Sequence, residues 1–162
     1  MSDNGNQPIV RVENVHKVYQ QGEVEVKALD GVTLDVAAGE FMALSGPSGS
    51  GKTTALNLIG ALDTPTSGKI VLEGHDLSAM SRKELSHLRR DRIGFVFQAY
   101  NLLSSLTVEQ NVTLPLLLAG RTADHARVEH ALASVGLAKM SRRRPAELSG
   151  GQQQRVAIAR AL

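Results

Sequence analysis

Gly46-Pro47-Ser48-Gly49-Ser50-Gly51-Lys52-Thr53 satisfies G-x-x-x-x-G-K-[ST] at every required position. Such a loop holds the phosphates of a nucleotide, and the reasons are local. Gly46, Gly49 and Gly51 lack Cβ atoms, so the backbone can turn tightly and come close to an anion. Successive N–H groups then point inward as an anion nest. A helix starting near Lys52 adds its positive N-terminal end. Lys52 is expected to reach the β and γ phosphates, and Thr53 to place its hydroxyl on Mg²⁺. Pro47, Ser48 and Ser50 contribute mainly backbone, and Thr54 closes the run of expected nucleotide contacts.

The flanks fit this reading. Phe41-Met42-Ala43-Leu44-Ser45 is an apolar run of strand length, and Thr54 to Leu62 has Ala55, Leu56, Leu58, Ile59 and Leu62 at helical spacing. Strand, loop, helix separates a phosphate loop from a chance glycine-rich turn.

Outward from the loop the pattern is mixed. Ile9 to Val15 and Val32 to Val36 alternate like half-buried strands. Asp63-Thr64-Pro65-Thr66-Ser67-Gly68 is a dense turn signal. Lys69–Leu72 and His75–Leu77 flank Glu73-Gly74 as a hairpin. Ser81 with Glu84 opens a short basic helix to about Arg90. Ile93-Gly94-Phe95-Val96-Phe97 reads as a second apolar strand, ending at Gln98. Beyond it the periodicity turns helical. Thr107 with Gln110 caps one helix, which Pro115 is expected to kink or end. Thr122 is expected to open another, closed by Gly136. Ser149 precedes Gly150-Gly151-Gln152 and a last helix.

Composition removes several classes of function. The chain has 162 residues, 42% hydrophobic, enough for one domain with a real core. No apolar run approaches the ~18 residues that suggest a membrane span, and the N-terminus has no apolar signal region. Zero cysteines exclude disulfides and thiolate metal sites, and cytosolic residence is the default expectation. The five histidines, His16, His75, His87, His125 and His130, show no metal-ligand spacing. Residues 1–80 carry 5 basic and 10 acidic residues, and residues 81–162 carry 13 and 6. Arg89-Arg90-Asp91-Arg92 and Arg142-Arg143-Arg144 are basic clusters. With aromatics at 3% there is little to stack bases on, so they read as solvated surface and no nucleic-acid partner is expected.

Leu148-Ser149-Gly150-Gly151-Gln152 is the second informative stretch. Ser149 can cap the last helix, and the two glycines leave its first N–H groups uncovered, again open to an anion. An ordinary capped helix would read the same way if it stood alone. Taken with the phosphate loop, the chain resembles the nucleotide-binding subunit of an ABC transporter. Gly46–Thr53 resembles the Walker A motif of that family. Leu148–Gln152, continued to Leu162, resembles its signature helix. Gln98 resembles its Q-loop glutamine and Tyr19 the aromatic residue that stacks on adenine. Gln98-Ala99-Tyr100-Asn101-Leu102-Leu103 and Asn111-Val112-Thr113-Leu114-Pro115 are most similar to the lipoprotein-releasing and macrolide-export branch.

The resemblance implies a partial α/β P-loop NTPase of ABC type, a single domain over residues 1–162. Its parts would be a β-rich nucleotide-binding core over about 1–100, a helical subdomain over about 101–148 and the signature helix over 149–162. It implies ATP and Mg²⁺ as cofactors, with Lys52 and Gln98 in the chemistry and Thr53 and Gln98 toward the metal. A second ATP-binding subunit would face the first head to tail, so Ser149, Gly150, Gly151 and Gln152 would act on the partner's ATP. Membrane permease subunits would hold the protein at the inner face of the cell membrane. The family's metal aspartate, its water-polarising glutamate and a later histidine have no counterpart among the 162 residues. The chain is therefore expected to be truncated, to lack the later core strands and to turn over no ATP alone. The alternative to a transport ATPase is a nucleotide-binding module without hydrolysis. A soluble ABC ATPase acting on nucleic acid fits less well, and a GTPase is disfavoured because no N-K-x-D motif occurs.

Overall fold

The computed structural model describes residues 7–162. The chain divides into two compact units, the first ending at Arg89 and the second beginning at Arg90. No helix among the described residues is long and apolar enough to cross a membrane.

The first unit is an antiparallel sheet of order β2-β1-β3-β4 with one helix against it. Strand β1 is Val10–Gln21, β2 Val24–Val36, β3 Ser67–Leu72 and β4 His75–Asp76. The expected alternations lie within β1 and β2 except for Ile9, which precedes β1, and the Glu73-Gly74 hairpin joins β3 to β4 through the pairs Val71–Asp76 and Leu72–His75. Sequence reading stopped both long strands short. Beyond Val15, β1 continues as a ribbon with β2, paired as far as Gln21–Val24, and residues 24–27 are exposed. With both faces of its distal end in water, that ribbon carries no one-sided apolar signal. Helix α1, Lys52–Ile59, buries Ala55 and Leu58 over the sheet residues Val12, Val15, Leu29 and Ile70. Burying a leucine such as Leu58 contributes about 1.5–3 kcal/mol.

Helix α2, Arg82–Arg92, runs across the division between the units. Its expected box is present. Ser81 N donates to Glu84 Oε2 at 2.8 Å, and Glu84 N donates to Ser81 Oγ at 3.4 Å.

The second unit packs α3 (Val108–Leu118), α4 (His125–Ser134) and α5 (Gly150–Ala161) around one core. Val108, Val112, Val128, Leu132, Leu137, Leu148, Val156 and Ala159 form it. Thr107 and Gln110 make the expected capping box on α3. Pro115 does not end that helix, which runs on to Leu118. The proline lies on the exposed side of α3 and costs it one backbone hydrogen bond. Ala119 N, Gly120 N and Arg121 N close the final turn onto Pro115 O, Leu117 O and Leu116 O. Helix α4 is opened by Asp124, whose carboxylate accepts from Ala126 N at 3.0 Å, and not by Thr122. Gly136 closes it as expected, at φ 71 just beyond Val135.

Two expected strands are not strands. Phe41–Ser45 and Ile93–Phe97 are in no sheet. A strand is defined by a hydrogen-bonded neighbour, and no described strand pairs with either run. Phe41 is accordingly 95% exposed. Apolar composition marks a segment suited to a sheet interior but cannot supply its neighbour.

Candidate functional site

The phosphate-loop residues form one continuous structure leading into α1. Gly49 and Gly51 adopt φ 82 and φ 84, the left-handed region open to glycine. Gly51 is also closed in from outside. A Cβ there would lie 2.4 Å from Ala28 O and 2.8 Å from Leu29 Cδ2, both on β2. The loop is thus pinned to the sheet at the residue before α1 begins. Gly51 gives that helix no side-chain cap, and its first backbone bond is Ala55 N to Gly51 O at 2.8 Å. The N–H groups of Lys52, Thr53 and Thr54 precede that bond and carry the positive end of the helix.

Lys52 curls back across the loop. Its ammonium donates to Gly46 O at 2.9 Å, Pro47 O at 2.6 Å and Ser50 Oγ at 3.2 Å. Ser50 N also donates to Pro47 O at 3.3 Å, so the loop closes on itself around the cation. The cradle fits a polyphosphate. It has glycines where side chains would intrude, uncapped helix amides and one cation held at the mouth by oxygens that an anion can replace. Thr53 is exposed at the head of the helix.

Tyr19 lies on β1 in the same unit. Its hydroxyl donates to Asp63 Oδ2 at 2.8 Å, and the Lys17 ammonium sits 4.8 Å from its ring centroid. Burial, then the hydrogen bond to Asp63 and its charge, push the Tyr19 phenol above its ordinary pKa, with Thr54 acting in the opposite direction. Burial acts to raise the pKa of Asp63. Hydrogen bonds from Lys17, Tyr19 and Thr64 N, together with the Lys17 charge, nevertheless hold it below the ordinary carboxylate range. Sequence reading took Asp63 only as part of a turn. The signal that it does more was its position just past the helix leaving the phosphate loop.

Gln98 and the Ser149–Gln152 stretch belong to the second unit. Gln98 is exposed and opens a turn in which Tyr100 and Asn101 both have left-handed backbones, at φ 59 and φ 49. Arg160 of α5 holds that turn, donating to Tyr100 O and Asn101 O, each at 2.7 Å. Burial lowers the pKa of this guanidinium. Nothing in the sequence pointed to Arg160. Asn111 is fully buried on α3 and fastens the adjoining loop. It accepts from Leu103 N at 2.8 Å and donates to Leu103 O at 3.1 Å and Thr107 O at 2.9 Å.

Ser149 caps α5, accepting from Gln152 N at 3.3 Å, while Gln152 Oε1 accepts from Ser149 N at 2.9 Å. Gly150 and Gly151 sit in the first turn without positive φ, and a Cβ at either would meet nothing within 4 Å. Nothing among the described residues requires glycine at these positions. The bare helix start faces outward.

The ABC transporter family model matches residues 29–162. A macrolide export ATP-binding/permease protein MacB of Marinobacter nauticus is 48% identical over 157 residues, 96% of this chain and 24% of that protein. An uncharacterized ABC transporter ATP-binding protein of Thermotoga maritima is 49% identical over 156 residues, 95% of this chain and 67% of that protein. The chain thus spans about a quarter of the length of its MacB relatives. The dimeric structure of MJ0796, a bacterial ABC transporter cassette, superposes with a TM-score of 0.86 at 45% identity, covering 94% of this chain and 68% of that one. A second MJ0796 structure, a post-hydrolysis state bound to ADP and Pi, matches equally well. The fold is that of an ABC cassette, and the chain belongs to the ABC transporter family.

Proposed function

We propose that the chain is the ATP-binding part of a transport ATPase, binding ATP with Mg²⁺ on the Gly46–Thr53 loop and helping to drive substrate across a membrane. The observation that carries this reading is the closed loop around Lys52, pinned to the sheet at Gly51. Gly46 to Thr54 would hold the phosphates, and Tyr19 would carry the adenine. Thr53 and Gln98 would face the metal, which when bound neutralises phosphate charge.

The outward-facing glycines of α5 favour a role toward a nucleotide on a second copy. Ser149, Gly150, Gly151 and Gln152 would serve that partner's ATP, as the resemblance implies. The neighbour MJ0796 is dimeric in both of its structures, which supports the pairing of two copies. The helical segment from about Asn101 to Pro145 would meet a membrane permease, and α3 ends in exposed Leu117 and Leu118. Macrolide-type export is the transport class favoured by the MacB relatives, with the protein at the cytoplasmic face of the membrane.

The test is binding of a fluorescent ATP analogue with Mg²⁺. Lys52→Ala removes a charge-assisted contact worth about 1.5–3 kcal/mol, so affinity should fall ten- to a hundredfold. Unchanged affinity would move the site elsewhere. Gly151→Asp should abolish ATP-dependent dimerisation while ATP binding in the same chain persists. A variant that still pairs on ATP, measured by sedimentation, would refute the role toward the partner.

A further inference from the structure

We propose that Asp63 is a positioning residue for the adenine-bearing ring of Tyr19, joining that ring and the phosphate loop into one rigid support. This rests on the reading of Tyr19 as the base platform. Tyr19 and Asp63 are 44 positions apart in sequence, yet the Tyr19 hydroxyl donates to Asp63 Oδ2 at 2.8 Å. The other carboxylate oxygen is shared. Asp63 Oδ1 accepts from Lys17 Nζ at 2.8 Å and from Thr64 N at 2.7 Å. Lys17 also donates to Thr64 O at 2.8 Å, which fixes its ammonium over one face of the Tyr19 ring. The tyrosine is held at its hydroxyl end by the carboxylate and on one face by the cation. A base would stack on the other face.

Asp63 is itself part of the closing turn of α1. Leu62 N and Asp63 N donate to Asn57 O at 2.8 and 3.3 Å. That helix begins at Lys52, so one continuous element runs from the phosphate cation to the carboxylate that grips Tyr19. A surface tyrosine free to rotate would lose its side-chain freedom on stacking. The tether removes that freedom before the nucleotide arrives. Asp63 stays ionised as an acceptor and Tyr19 stays protonated as a donor, because each shifts the other in that direction. A purely structural tie between strand and helix would have no preference for ligands that carry a base.

The experiment compares binding of ATP and of inorganic triphosphate, both with Mg²⁺, to the full-length protein. Tyr19→Ala should weaken ATP binding about tenfold, as loss of one base–aromatic stack does, and leave triphosphate binding unchanged. Asp63→Ala should weaken ATP binding roughly three- to tenfold with triphosphate unchanged, and the double variant should bind ATP no worse than Tyr19→Ala alone. Asp63→Asn keeps an acceptor for the hydroxyl and should recover part of the loss; it also carries the test if the alanine variant fails to fold. Equal loss of both ligands in the Asp63 variants, or a fully additive double variant, would overturn the positioning role. If Tyr19→Ala leaves ATP affinity intact, the platform reading itself fails, whatever Asp63 does.

Discussion

Two helices in this chain begin at glycines, and they do so for opposite reasons. Helix α1 follows Gly51, which has a left-handed backbone and lies against Ala28 O of β2. Glycine is required there by the interior of the chain. Helix α5 begins with Gly150 and Gly151, which have ordinary backbones and open space where a side chain would project. Its cap is made by the Ser149–Gln152 box instead. Glycine there costs helix stability, about 0.5–1 kcal/mol per residue relative to alanine, with no internal return. The first glycine shapes a site within the chain. The second pair leaves the start of α5 without side chains, as the proposed role toward a second copy requires.

The sharpest way to break that contrast is a matched pair of alanine substitutions. Gly51→Ala should destabilise the protein by about 3 kcal/mol, through a strained φ and overlap with backbone oxygen. Gly151→Ala should leave stability within about 0.5–1 kcal/mol, on the stabilising side. Urea unfolding of both variants decides the matter, and similar losses would remove the distinction. Next in size is Arg160, which ties the turn after Gln98 to α5. Arg160→Met keeps the stem but removes two charged hydrogen bonds, a loss of about 1.5–3 kcal/mol. The effect should concentrate in faster amide exchange at residues 99–102. Unaltered exchange would mean that the left-handed pair Tyr100-Asn101 holds itself.

The smallest effect concerns Asp63 and pH. Its pKa is lower in the folded chain than in the unfolded one. The stability it contributes is therefore present above the ordinary carboxylate pKa and lost as pH falls through the folded value. Comparing wild type with Asp63→Asn by urea unfolding should show an advantage at neutral pH that shrinks in acid. Solvent screening keeps it below about 1 kcal/mol. A constant difference across pH would assign the effect to packing.

Local chemistry was easy to read in advance. The capping boxes at Ser81, Thr107 and Ser149 depend on residues three apart and formed as expected. The α4 start was misplaced because Thr122 and Asp124 both suit a cap, and only packing of Val128 and Leu132 into the core chooses between them. Pro115 does not end α3, because the proline costs the helix one backbone bond at an exposed residue and the chain stays helical to Leu118. Phe41–Ser45 and Ile93–Phe97 were read as strands from composition, but a strand needs a neighbour that composition does not name.

The sequence by itself determined the phosphate loop, the helix that follows it, the hairpin at Glu73-Gly74 and the cap of the last helix. Each depends on residues within a few positions of one another, where backbone sterics and single hydrogen bonds decide. Tertiary structure alone decided that Gly51 abuts Ala28, that Asp63 grips Tyr19 and that Arg160 holds Tyr100 and Asn101. Those contacts join residues about 20 to 60 positions apart. Only the closing of the sheet on α1, and of α5 on its helical neighbours, brings them within bonding distance.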